Sequence, residues 1–146
     1  MIYVDTSVIV KLYIREKYSR KVSKWIRGNN EAIPLTNFHE LEFANALYLK
    51  QFRREISNNQ VRHVLTEFDD HRGIGVYYHP QIDWAETLGY ALDLAQNYTS
   101  QTGSRTLDIF HVASAVAIQA KRFLTLDERQ SKLALFAGLR IENFMK

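Results

Sequence analysis

Twice in this chain a short apolar run ends on an aspartate and passes at once into a helix-like pattern: IYVD near the start and FLTLD at 123–127. An apolar run without polar alternation marks a strand buried on both faces, and such strands belong to parallel sheets covered by helices. An ionisable side chain at the carboxyl end of both runs falls where open α/β sheets bind ligands. If the two strands are neighbours, Asp5 and Asp127 share that edge, about ~5 Å apart before side-chain reach is counted. Taken singly, each aspartate also suits a helix cap. Thr6 or Ser7 can cap a helix through Val8, Ile9, Val10 and Leu12, and Glu128 favours the same helix end as Asp127.

The rest of the pattern alternates in the same way. Periodicity predicts helices over roughly 6–14, 19–28, 36–55, 58–70, 84–100, 106–120 and 128–137, and short strands near 2–5, 32–35, 75–78, 122–126 and 139–142. Strands alternating with helices imply an α/β fold with a mainly parallel sheet of about five strands. Pro34 and Pro80 read as loop edges, and Gly73 with Gly75 as a turn before VYYH, while the SNNQ stretch offers a cap for the helix from 58. There is no repeat or low-complexity tract, and 146 residues make one ordinary domain spanning 1–146.

Two helical segments carry acids in unusual company. In LTNFHELEFANALYLKQF, about 100° per residue puts Phe38, Leu41, Asn45, Tyr48, Leu49 and Phe52 on one arc. Glu42 falls at the border of that arc beside Asn45, whereas Glu40 points away towards solvent. Phe43, Ala46 and Leu47 make the other side apolar too, so the helix reads as covered twice, once by its own core and once by a second copy of the chain. In RTLDIFHVASAVAIQAK, Asp108 is the only acid between Arg105 and Lys121. A carboxylate in an all-round apolar helix must be paired, hydrogen-bonded or bound to a cation. Serving the free N–H groups of the first turn is the alternative. His111, one turn on, reads as a hydrogen-bonded core histidine.

Composition narrows the chemistry. With no cysteine, disulfides, thiolate zinc sites and thiol nucleophiles are excluded, so any metal sits on oxygen or imidazole. No leader-like segment and no apolar stretch approaching a membrane span is visible, which points to a cytoplasmic protein without a membrane partner. The formal charge of +3 is mildly basic and compatible with a polyanionic or acidic partner.

In order, IYVDTSVIVKLY, ELEFANAL, TLDIFHVASA and FLTLDERQSKLA resemble the four motif regions of PIN-domain ribonucleases, and most closely the VapC-like toxins. The resemblance implies a PIN-like α/β/α sandwich whose metal-binding, catalytic acids are Asp5, Glu42, Asp108 and Asp127. It also implies supporting hydroxyls at Thr6 and Thr125, one or two Mg²⁺ or Mn²⁺ ions, an RNA substrate and a cognate antitoxin. Asn45, beside Glu42, joins the supporting set. The chemistry agrees: hard divalent cations prefer oxygen, and Mg²⁺ keeps several waters while taking one or two carboxylates directly. Asp5 and Asp108 are therefore expected as direct ligands, with Glu42 and Asp127 acting through water.

For substrate contacts, Arg129 lies two residues past Asp127 and is the first candidate phosphate clamp. Arg15 and Lys17 open a basic run through Arg27 interleaved with Tyr18 and Trp25, suited to phosphates and an unpaired base, or simply to a solvated face. A single-stranded or tRNA-like RNA loop is the substrate the resemblance suggests. Against an aspartyl phosphatase, Ser7 stands where a second aspartate belongs. Against a zinc peptidase, Phe43 stands where H-E-x-x-H requires its second histidine. A non-toxin RNA-processing nuclease and an inert PIN-like interaction module remain as alternatives, and the apolar second face of the 36–55 helix predicts a homodimer.

Overall fold

Residues 1–143 are described by the structure, a computed structural model. In order they form β1 (Ile2–Val4), α1 (Thr6–Tyr13), α2 (Ser19–Gly28), β2 (Ile33–Pro34), α3 (Asn37–Phe52), α4 (Asn58–Gly73), β3 (Tyr77–Tyr78), α5 (Trp84–Thr102), α6 (Thr106–Ala117), β4 (Arg122–Leu124), α7 (Glu128–Phe136) and β5 (Arg140–Ile141). Every predicted helix and strand is present, and all strand pairs are parallel. The five strands are divided, however, into a three-stranded ladder β1-β4-β5 and a two-stranded ladder β2-β3. Among the described residues no helix is long and apolar enough to cross a membrane. By contact the chain forms two units, Met1–Asp5 with Pro80–Asn143, and Thr6–His79.

In the first unit the two Asp-terminated strands are neighbours. Ile2 pairs with Arg122, Tyr3 with Phe123 and Val4 with Leu124, and the Asp5 N–H continues the ladder to the Leu124 carbonyl at 2.9 Å. The apolar residues of both strands are almost wholly buried, as a helix-covered strand requires. Tyr3 stacks on Phe123 with ring centroids 5.4 Å apart, and Leu94, Ile109, Val112 and Leu133 from α5, α6 and α7 complete the core. Asp83 caps α5, and Gly103 ends it in the left-handed conformation at φ 66°. That backbone state, rather than crowding, is the reason for glycine, since an added Cβ would meet only the Arg129 side chain at 3.9 Å. Helix α6 stops at Ala117, short of the predicted 120, and Gln119 turns left-handed at φ 59°.

The second unit packs α1 to α4 with the β2-β3 ladder. Its centre is aromatic: Phe43 stacks on Phe68 at 4.3 Å, with Tyr13 edge-on to both. Ser57 caps α4, accepting from Gln60 N–H while the Gln60 side chain accepts from Ser57 N–H. Pro34, expected at a loop edge, is the last residue of β2. The ladder bonds are given by the N–H groups of Ile33 and Leu35, so the missing donor of Pro34 costs nothing.

Helix α3 differs from expectation in its sidedness. Phe43 and Leu47 are buried, whereas Leu41, Tyr48 and Phe52 are 67%, 52% and 84% exposed. The aromatic box claims the face with Phe43, and the longer apolar arc is left outward. Glu40 is also not simply solvated, for it meets the Arg72 guanidinium at 2.6 Å.

Candidate functional site

Parallel pairing of β1 with β4 brings both strand-end motifs to one edge. Extended by one residue, the register sets Asp5 against Thr125, so Asp127 lies two residues farther along its own segment. The turn that carries it is shaped by Thr125, whose Oγ1 accepts from the Asp127 N–H at 3.1 Å. Asp127 then caps α7, its Oδ1 accepting from Gln130 N–H at 2.9 Å. The capping role is real, and it occupies only one carboxylate oxygen.

Asp5 is 7% exposed and is held from α6 and α7. His111 Nε2 faces its Oδ1 at 3.3 Å, and Gln130 Nε2 donates to the same oxygen at 3.4 Å. Behind His111, the Tyr3 hydroxyl lies 2.8 Å from Nδ1. A carboxylate only accepts, so in the neutral ring Nε2 carries the proton and Nδ1 accepts from Tyr3. The expected core histidine is therefore also the partner of the first acidic residue.

Asp108 sits at the third position of α6, where Oδ2 accepts from Arg105 N–H at 3.3 Å and from Arg105 Nε at 3.1 Å. The same guanidinium reaches Asp127 Oδ2 at 3.9 Å. Its hydrogen bond to Asp108, then the charges of Asp108, Asp127 and Asp5, hold the Arg105 pKa above its ordinary value. Thus two of the four predicted acids, Asp108 and Asp127, meet one cationic group, and the charge of Asp5 adds to the same field.

Glu42 belongs to the second unit, where the Thr6 hydroxyl donates to its Oε1 at 2.8 Å. The bond joins a predicted acid to a predicted supporting hydroxyl. Asn45 is exposed. Arg129 is exposed, and its carbonyl accepts from Ser104 Oγ at 3.4 Å. Arg15 lines an open groove with Lys11, Arg20, Lys24 and Arg27, and Lys17 lies over the Tyr18 ring at 4.9 Å. Sequence reasoning missed Arg105 and Gln130 as site residues. The available signal was their spacing, three before Asp108 and three after Asp127.

The donor set fits a hard divalent ion. It is all oxygen, it already gathers a cation, and the buried Gln130 Oε1 has no hydrogen-bond partner among the described residues, an acceptor suited to an ion-bound water. Among the described residues, however, no three His, Asp or Glu side chains converge closely enough to clasp an ion directly. The arrangement therefore suits an ion held by one or two carboxylates with water completing its shell.

Comparison with known proteins agrees with the fold. No curated protein matches the chain. Solved structures share its fold, among them three of different origin. FitAcB from Neisseria gonorrhoeae has a TM-score of 0.71 at 17% identity, covering 99% of both chains. VapBC2 from Rickettsia felis, bound to a DNA fragment from its promoter, has 0.65 at 17% identity, covering 98% of both. PAE2754 from Pyrobaculum aerophilum has 0.56 at 18%, covering 96% of this chain and 82% of that one. The PIN domain family model matches residues 2–135, nearly the whole sequence, and the chain belongs to the PIN domain family.

Proposed function

We propose that the chain is a Mg²⁺- or Mn²⁺-dependent endoribonuclease and the toxin of a toxin–antitoxin pair. The observation that carries this reading is that one cation, Arg105, meets both Asp108 and Asp127 while the parallel pairing of β1 with β4 brings Asp5 and the Asp127 segment to one sheet edge, in a PIN domain. When bound, one or two ions neutralise charge on the scissile phosphate and lower the pKa of an attacking water. Asp5 and Asp108 bind directly. Asp127, with one oxygen engaged as a cap, acts through water and orients the nucleophile. Glu42 is assigned as the fourth acid on its motif alone, with Thr6 fixing its carboxylate. Thr125 sets the turn of Asp127, and His111 and Gln130 orient Asp5.

For the substrate, Arg129 is the proposed phosphate clamp, and the groove of Lys11, Arg15, Arg20, Lys24 and Arg27 is a track for an RNA backbone, joined by Lys17. The likeness to FitAcB and VapBC2 supports a cognate antitoxin. The exposed Leu41, Tyr48 and Phe52 on α3 support a homodimer, which sedimentation showing only monomer across the micromolar range would overturn.

The test is cleavage of a labelled structured RNA pool with Mn²⁺, Mg²⁺ or EDTA, beside Asp5→Asn and Asp108→Asn. Metal-dependent cutting that both substitutions abolish is the expected result. One other reading is an inert PIN-like interaction module, since among the described residues no three acids converge directly. Calorimetry separates the two, since an inert module shows no saturable Mg²⁺ or Mn²⁺ uptake.

A further inference from the structure

Arg105 is placed unlike an ordinary surface arginine. Its guanidinium contacts Asp108 on its own helix and Asp127 at the start of α7, with Asp5 contributing to the same field. An ion pair three residues apart on one helix is a common surface feature, but a bridge to a second, distant acid is not. Carboxylates gathered at one edge repel one another, and a cation between Asp108 and Asp127 relieves that repulsion.

We propose that Arg105 is the resident cation of the metal-free site and that its guanidinium and a divalent ion occupy the carboxylates in exchange. This rests on the metal-dependent reading above and assigns Arg105 as a positioning residue. Exposure differs on the two sides of the contact. The Arg105 side chain is 73% exposed, so it can swing into water at little cost, whereas that of Asp108 is 14% exposed and stays. Asp108 also keeps the Arg105 backbone N–H as a partner when the guanidinium leaves. Exchange of a single charge for a double one brings the carboxylates nearer to neutrality, so the arginine holds the acids ready without outcompeting the ion. The tethered cation thereby sets the metal concentration at which the site fills.

The experiment is calorimetric titration of the full chain with Mn²⁺, comparing the natural protein with Arg105→Gln and Arg105→Lys, together with thermal unfolding in EDTA and in saturating Mn²⁺. Removing the tethered charge is expected to tighten Mn²⁺ binding about three- to tenfold. Arg105→Lys, which keeps the charge, is expected to stay near the natural protein. In EDTA the melting temperature of Arg105→Gln should fall by about 1–3 °C, and its gain on adding Mn²⁺ should be larger. Equal or weaker Mn²⁺ binding by Arg105→Gln, with the natural protein binding normally, overturns the exchange and leaves the metal reading intact. Failure of both proteins to take up Mn²⁺ overturns both.

Discussion

Each unit contains a tyrosine hydroxyl bonded to a histidine Nδ1, and the two pairs do different work. In the first unit Tyr3 meets His111 at 2.8 Å, and the far nitrogen of that ring faces the Asp5 carboxylate. In the second, Tyr13 meets His71 at 2.7 Å and Tyr77 at 2.8 Å, inside the box of Phe43 and Phe68. Burial there pushes the Tyr77 phenol up to about 12 and raises Tyr13 as well, so both remain protonated hydrogen-bonding groups at any physiological pH. The same side-chain pair thus closes an aromatic core in one place and orients an acid in the other. What separates the roles is the group beyond the imidazole.

The sharpest way to break this contrast is to empty the aromatic box. Phe43→Ala removes a ring 1% exposed and stacked at 4.3 Å, and should destabilise the chain by about 3–5 kcal/mol in urea unfolding. A loss under about 1 kcal/mol would mean the box is not where the second unit's stability lies. Next in size is His111→Ala, expected to weaken Mn²⁺ binding about tenfold or more, with partial rescue by His111→Gln. His71→Ala is expected to lower stability and leave Mn²⁺ affinity unchanged. Equal effects of the two on affinity would erase the distinction. The paired hydroxyl deletions Tyr3→Phe and Tyr13→Phe should each cost about 1–2 kcal/mol, with only Tyr3→Phe changing metal binding.

Much of this was legible in the sequence because strong local patterns and the tertiary fold agree. The apolar runs ending at Asp5 and Asp127 specify buried parallel strands, and Asp108 stands out as the one acid of a mostly apolar α6. Less legible was anything decided by competition between neighbours. Helix α3 is apolar on two sides, and only the presence of Phe68 and Tyr13 decides that Phe43 turns inward and Tyr48 outward. Arg105 carries no local mark of its role, since its second partner, Asp127, is distant in sequence. Glu40 looked solvated because its partner Arg72 comes from α4. Local periodicity carries no information about such pairs.

The rims of the two units repeat the contrast with the signs reversed. Arg105 is a cation among acids, whereas Glu16 is an acid between cations, hydrogen-bonded by Lys11 at 2.8 Å and by Lys50. Burial pushes the Glu16 carboxyl up, but the two lysine hydrogen bonds outweigh it and hold the carboxyl below its ordinary value, while Glu16 raises Lys50. A carboxyl depressed in the folded state contributes stability that is fully present above the unfolded value of about 4.3 and is lost as pH falls through the folded one. Glu16→Gln should therefore cost about 1 kcal/mol at pH near 7, with the difference closing below about pH 4. Unlike Arg105→Gln, it should leave Mn²⁺ affinity untouched. Urea unfolding at neutral and acid pH checks the first expectation and calorimetry the second. A Glu16 effect that persists undiminished in acid would mean that packing of its side chain, not its charge, ties α1 to α3.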